Sequence, residues 1–242
     1  MQVLEAGQVG RLLRDLELTA AVAMRRAAPQ AELHVWLLMR LRKTDARTDA
    51  EFQQRLCRHI GMRGKLRARK QALFELLETF KRNEPPRFED VLMRVSELTG
   101  QIEKSVASQL LALLDPEQPA IDRDLRELLP RYGFIPLAEA PMFDECVSYH
   151  RRLRDLFEQV IAAPGWSGVC ARFDAALGPV ETVLTDVRKL NLHLSHSRRV
   201  VALMPTLEVV RRPAGAARAP GITTSEPAPR VVRPSVRLHL CR

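Results

Sequence analysis

Residues 87–134 read RFEDVLMRVSELTGQIEKSVASQLLALLDPEQPAIDRDLRELLPRYGF, and the spacing of apolar residues along them predicts three short helices in succession. Phe88, Val91, Leu92, Val95 and Leu98 recur at intervals of three and four, which puts them on one helical face. Gly100 can end that helix by taking the left-handed conformation. A second helix is predicted from near Gln101, carrying Ile102, Val106, Leu110, Leu113 and Leu114 as far as Asp115-Pro116, where proline disfavours helical geometry in the residue before it. Asp122 is placed to cap a third, with Leu125, Leu128 and Leu129 inward and Pro130 as its stop. The rest of the chain is expected to pack around this unit.

The same periodicity extends outward in both directions. Upstream, residues 3–26 predict an amphipathic helix closed by the Ala-Ala-Pro at 27–29, and residues 31–42 a second that is apolar nearly all round. Thr48 and Glu51 have capping-box spacing before a helix with Phe52, Leu56 and Ile60 inward and Arg55, Arg58 and His59 outward. Gly61 and Gly64 break it, and a further helix is predicted over 65–82. Downstream, residues 142–163 carry Cys146, Tyr149, Leu153, Leu156 and Val160 on the longest helix, Trp166 falls in a turn, and Val169, Cys170, Phe173 and Leu177 mark another helix. The last runs over 185–200, with Thr185 as its N-cap and Val187, Leu190 and Leu194 inward. The expected fold is one all-α domain of about eight helices over residues 1–204. Residues 205–242 hold six prolines and no helical period, and are expected to be a disordered basic tail.

Composition agrees with this class. Hydrophobic residues make up 46% of the 242, enough for a large core, while aromatics are only 5% and alternating β-branched runs are scarce. No apolar run approaches a membrane span, and acidic residues interrupt the N-terminal region where a signal peptide would be apolar. The four cysteines at 57, 146, 170 and 241 form no C-x-x-C pair, so reduced thiols and a cytoplasmic location are expected. His193 and His196 lie three apart, but without further ligands nearby no metal and no cofactor is expected.

The net charge of +9 is concentrated. The tail holds seven arginines against Glu208 and Glu226, and Arg55, Arg58, Arg63, Lys65, Arg67, Arg69 and Lys70 form a run without one acid. A helix, a glycine hinge and a second helix with cations around the turn suit a phosphate backbone held without reading sequence. A solvated charged face is the other reading of the same run. Ser105 and Ser108, beside Glu103, Lys104 and Gln109 at a helix start, are candidates for an anion site, or for simple capping and close helix packing. Asp122 is a candidate general acid or base if paired with Lys104 or Lys189, or a plain N-cap. No G-x-G-x-x-G, Walker loop, H-E-x-x-H or G-x-S-x-G occurs, which argues against nucleotide hydrolysis, zinc proteolysis and α/β-hydrolase chemistry.

The string SVASQLLALLDPEQPAID, with FDAAL at 173–177 and TDVRKLN at 185–191, resembles a group of uncharacterised bacterial helical proteins whose middle reads Ser-x-Ala-Ser-Lys, Asp-Pro, Pro-x-x-Asp. More distantly it is similar to the helical fold of DNA glycosylases of the 8-oxoguanine type. The resemblance spans roughly residues 48–196 and places Ser105, Ser108, Asp122, Asp174, Asp186 and Lys189 on matching positions, with Gln109 where the pattern has Lys. It implies a nucleic-acid-binding protein related to helical base-excision folds. The alternative is a helical interaction or adaptor protein without enzymatic activity, with the tail as a possible contact for a protein partner.

Overall fold

The computed structural model describes residues 3–62, 64–177 and 184–201, so the tail from residue 205 onward and Arg63 lie outside the described residues. Ten α-helices and no strands occur among the described residues: α1 (Ala6–Lys43), α2 (Ala50–His59), α3 (Gly64–Ala68), α4 (Lys70–Lys81), α5 (Phe88–Thr99), α6 (Lys104–Leu114), α7 (Arg123–Leu128), α8 (Phe143–Ile161), α9 (Trp166–Leu177) and α10 (Asp186–Val201). None of the described helices is long and apolar enough to cross a membrane.

The 87–134 unit forms as its spacing predicts. Phe88, Val91, Leu92 and Val95 are buried on α5, and Gly100 ends the helix at φ 66°, ψ 20°, a left-handed conformation that a side chain would strain. α6 starts at Lys104, later than Gln101, and stops at Asp115, which is extended as the residue before a proline should be. Asp122 caps α7, its carboxylate accepting the Leu125 N–H at 2.7 Å. Pro130 does not stop the chain's helical course. It falls in the 3₁₀ turn Leu129–Tyr132, where its missing N–H would have no partner in any case, and Gly133 closes the turn at φ 89°.

Four further points differ from expectation. The cap of α2 is Asp49, which accepts the Phe52 N–H at 3.0 Å, and not Thr48. α1 runs unbroken through Pro29, where two helices are predicted, because Ala23, Met24, Ala27, Ala31, His34 and Leu37 are buried on both sides of the proline. Packing of that continuous face offsets a proline cost of about 3 kcal/mol. The helix predicted over 65–82 divides at Arg69 into α3 and α4. Trp166 is the first residue of α9 and is buried, so it belongs to a helix and not to a turn.

The most enclosed element is α10, not the 87–134 unit. It packs against α1, α7, α8 and α9, and Val187, Leu190, Leu192 and Leu194 are buried together with Arg188, Lys189, Asn191, His193 and Ser197. A helix buried on every side must find partners for its polar groups, since each orphan costs about 1–3 kcal/mol. Several are found: Thr19 and Ser197 share a hydrogen bond of 2.9 Å between α1 and α10, Asn191 accepts the Ala120 N–H at 2.6 Å, and Thr185 donates to the Pro116 carbonyl at 2.9 Å. Segment 115–122 is thereby fixed to α10, and Asp122 is held at its end.

Candidate functional site

Where α10 faces α1, α2, α6 and residues 120–122, a chamber of about 30 Å³ is lined by Gln30, His34, His59, Gln109, Asp122, Arg188, Asn191 and Ser195, with Ala120 and Leu192. Helical spacing assembles it: Arg188, Asn191 and Ser195 repeat at three and four residues on one stripe of α10, and Gln30 and His34 lie one turn apart on α1. Arg188 is its centre. Only 6% of Arg188 is exposed, its Nη2 donates to the Gln118 carbonyl at a long 3.4 Å, and its Nε is buried with no partner. Burial pushes its pKa down to about 10, partly opposed by Asp122, so it stays cationic at neutral pH.

The groups around it respond to that charge and to their own burial. His34 is held well below the ordinary imidazole range, by burial first and then by Arg188. His59 is lowered to about 4 by the same two causes, so both rings are neutral near pH 7. Asp122 is raised by burial, although the Leu125 N–H and the Ser195 hydroxyl, each donating to one of its oxygens, act the other way. The Gln109 Oε1 is buried without a partner. His59, expected to face outward, instead turns into the chamber from the last turn of α2.

The expected catalytic pair is not brought together. Lys189 follows Arg188 in the chain, yet its ammonium lies 2.7 Å from an Asp174 oxygen and 3.8 Å from the Cys170 thiol, on the α9 side. Burial works against the Lys189 charge, but Asp174 overcomes it and leaves the pKa raised. Lys104, lowered by burial and by Arg126, shares no hydrogen bond with Asp122 among the described residues. Asp122 meets Arg188 across the chamber instead. Ser108 is fully buried, donates to the Ser105 carbonyl at 3.1 Å and accepts the Ile121 N–H at 2.8 Å, so its hydroxyl is used inside the fold. Ser105 is partly exposed at the start of α6. His193 is fully buried beside Phe173, while His196 pairs with Gln30 at 2.8 Å. Among the described residues no three His, Cys, Asp or Glu side chains are placed to hold a metal ion.

The cationic stretch adjoins the chamber at His59. Arg55 is paired with Glu51 at 2.7 Å and lies over the Trp36 ring at 4.2 Å, and Lys70 lies 5.8 Å from the Phe74 ring. Arg58, Arg67 and Arg69 are exposed and form no ion pair among the described residues. Gly61 and Gly64, at φ 62° and 52°, turn the chain between α2 and α3. That turn brings the two sides close: Lys70 and Arg67 both act on the Cys57 thiol of α2, whose pKa burial nonetheless raises. Of Lys65, only the backbone within α3 is described.

Nothing in the sequence marked Arg188, His34, Asn191 or Gln109 as members of one site. The available signal was the density of polar residues within DVRKLNLHLSHS, a segment otherwise spaced for burial. No family model, curated protein or solved structure matches this chain.

Proposed function

We propose that the protein binds nucleic acid through the phosphate backbone, using the cationic face built by α2, α3 and α4. One observation carries the reading: Arg58, Arg67 and Arg69 stand exposed around a left-handed glycine turn with no acidic partner among the described residues. Some helix-surface arginines elsewhere are paired within a turn, as Arg94 is by Glu97 at 3.1 Å and Arg123 by Glu127 at 2.7 Å, and these three are not. Unneutralised guanidinium forks on adjoining helices suit phosphate oxygens, and such contacts position a duplex without reading its bases. A relation to helical base-excision proteins belongs to this proposal as a fold relation, with no reaction assigned. The proposed setting is the cytoplasm, in keeping with Cys57, Cys146 and Cys170 as free thiols. The adaptor reading draws its support from Arg55, whose charge is already spent on Glu51 and Trp36.

Fluorescence anisotropy of a labelled duplex tests the proposal, with the full chain compared against a variant carrying Arg58→Ala, Arg67→Ala and Arg69→Ala. The tail's arginines are common to both proteins and cancel in the comparison. Loss of three phosphate contacts should flatten the log–log salt dependence by about 2.7, at roughly 0.9 per contact. Equal slopes for the two proteins would remove this face from the account.

A further inference from the structure

We infer that the chamber around Arg188 is a binding site for a monatomic anion the size of chloride. Arg188 is 6% exposed, and among the described residues no carboxylate lies within ion-pair distance of it. Both oxygens of the nearest acid, Asp122, are occupied by the Leu125 N–H and the Ser195 hydroxyl, and the other titratable groups facing the chamber, His34 and His59, are neutral imidazoles. A buried charge without a contact partner costs several kcal/mol, and a chain that keeps one there has a use for a counter-ion.

Arg188 offers a buried, unpartnered Nε–H. Asn191, whose Oδ1 is taken by the Ala120 N–H, has its amide nitrogen left to donate. Gln109 ends in a buried oxygen with no partner, and a half-turn of its amide presents an NH₂ group instead. The chamber's volume of about 30 Å³ exceeds the roughly 10–15 Å³ that one water requires. A water or a single-atom anion can fill it without moving the lining side chains. Water would satisfy the orphaned hydrogen bonds, but it adds nothing to the one counter-charge near Arg188, Asp122, which lies beyond ion-pair distance.

Bromide is the probe. Crystals of the full chain grown or soaked in bromide should give an anomalous peak within hydrogen-bond distance of the Arg188 Nε, and in solution the unfolding midpoint should rise with chloride when it replaces gluconate at constant ionic strength. Arg188→Met should abolish that chloride response. Should Arg188→Met fail to fold, the wild-type measurements still decide: a water without anomalous signal, or equal midpoints in chloride and gluconate, overturns the inference.

Discussion

Acid should unfold this protein early, and the buried histidines set the pH at which it does so. His150 is 4% exposed, stacks on Phe88 with ring centres 4.0 Å apart, and donates from Nε2 to the Pro119 carbonyl at 3.1 Å. His193 is fully buried. Burial lowers each to about 4 from an ordinary 6.5. Between those values the unfolded chain holds protons that the folded chain refuses, so stability is fully present above pH 6.5 and is lost as pH falls toward 4. At pH 5 the unfolded form of each ring is almost fully protonated and the folded form about one-tenth so, a loss from pH 7 of about 2 kcal/mol per ring. Two rings remove about 4 kcal/mol, and His59, lowered to the same value, and His34, held well below the ordinary range, act in the same direction. Against a typical total of about 5–15 kcal/mol that is a large fraction. Asp122, raised by burial, gains stability on acidification and offsets part of the loss, whereas Asp49, lowered to about 2 chiefly by Arg40, matters only in stronger acid. Urea titrations of the wild type and His150→Gln at pH 7, 6 and 5 isolate one ring. The variant keeps a donor for the Pro119 carbonyl, and should lose about 2 kcal/mol less than the wild type between pH 7 and 5. Parallel curves for the two proteins would refute the assignment of His150 as a buried neutral ring.

Two further outcomes follow from packing and backbone. Leu110, 2% exposed on the inner face of α6, should cost about 2–5 kcal/mol when replaced by alanine, read as a lower urea midpoint at unchanged m-value; a near-neutral result would mean that α6 is peripheral. Pro29→Ala at an exposed position inside α1 should stabilise the protein by up to about 3 kcal/mol, seen as a higher melting temperature, because alanine restores an N–H and removes the clash with the preceding turn; a lower melting temperature would show that the proline shapes the helix for its packing.

The helical class and the 87–134 unit were legible because apolar spacing, Gly100, Asp115-Pro116 and the Asp122 cap all act through local geometry. Pro29 misled for the opposite reason: its cost is local, but the faces that outweigh it lie on α9 and α10. The chamber was illegible for a related reason. Arg188, His34, His59 and Gln109 come from four helices, and only their packing makes them neighbours, so none of them reads alone as a member of one chamber. His59 shows this best, since its neighbours Arg55 and Arg58 do lie toward solvent. Asp122 was legible as a cap, and its second relation, to Arg188, required the fold. The basic run was the part of the proposed interface that composition alone could locate.

Photo-crosslinking of the full chain to a bromouracil-substituted duplex, followed by peptide mapping, tests the nucleic-acid reading most directly, because it reports which residues touch the strand. The account predicts crosslinks within α2 to α4, around Arg58, Arg67 and Arg69, that disappear when those three are alanine. Crosslinks confined to residues 205–242, or none at low salt, would contradict it.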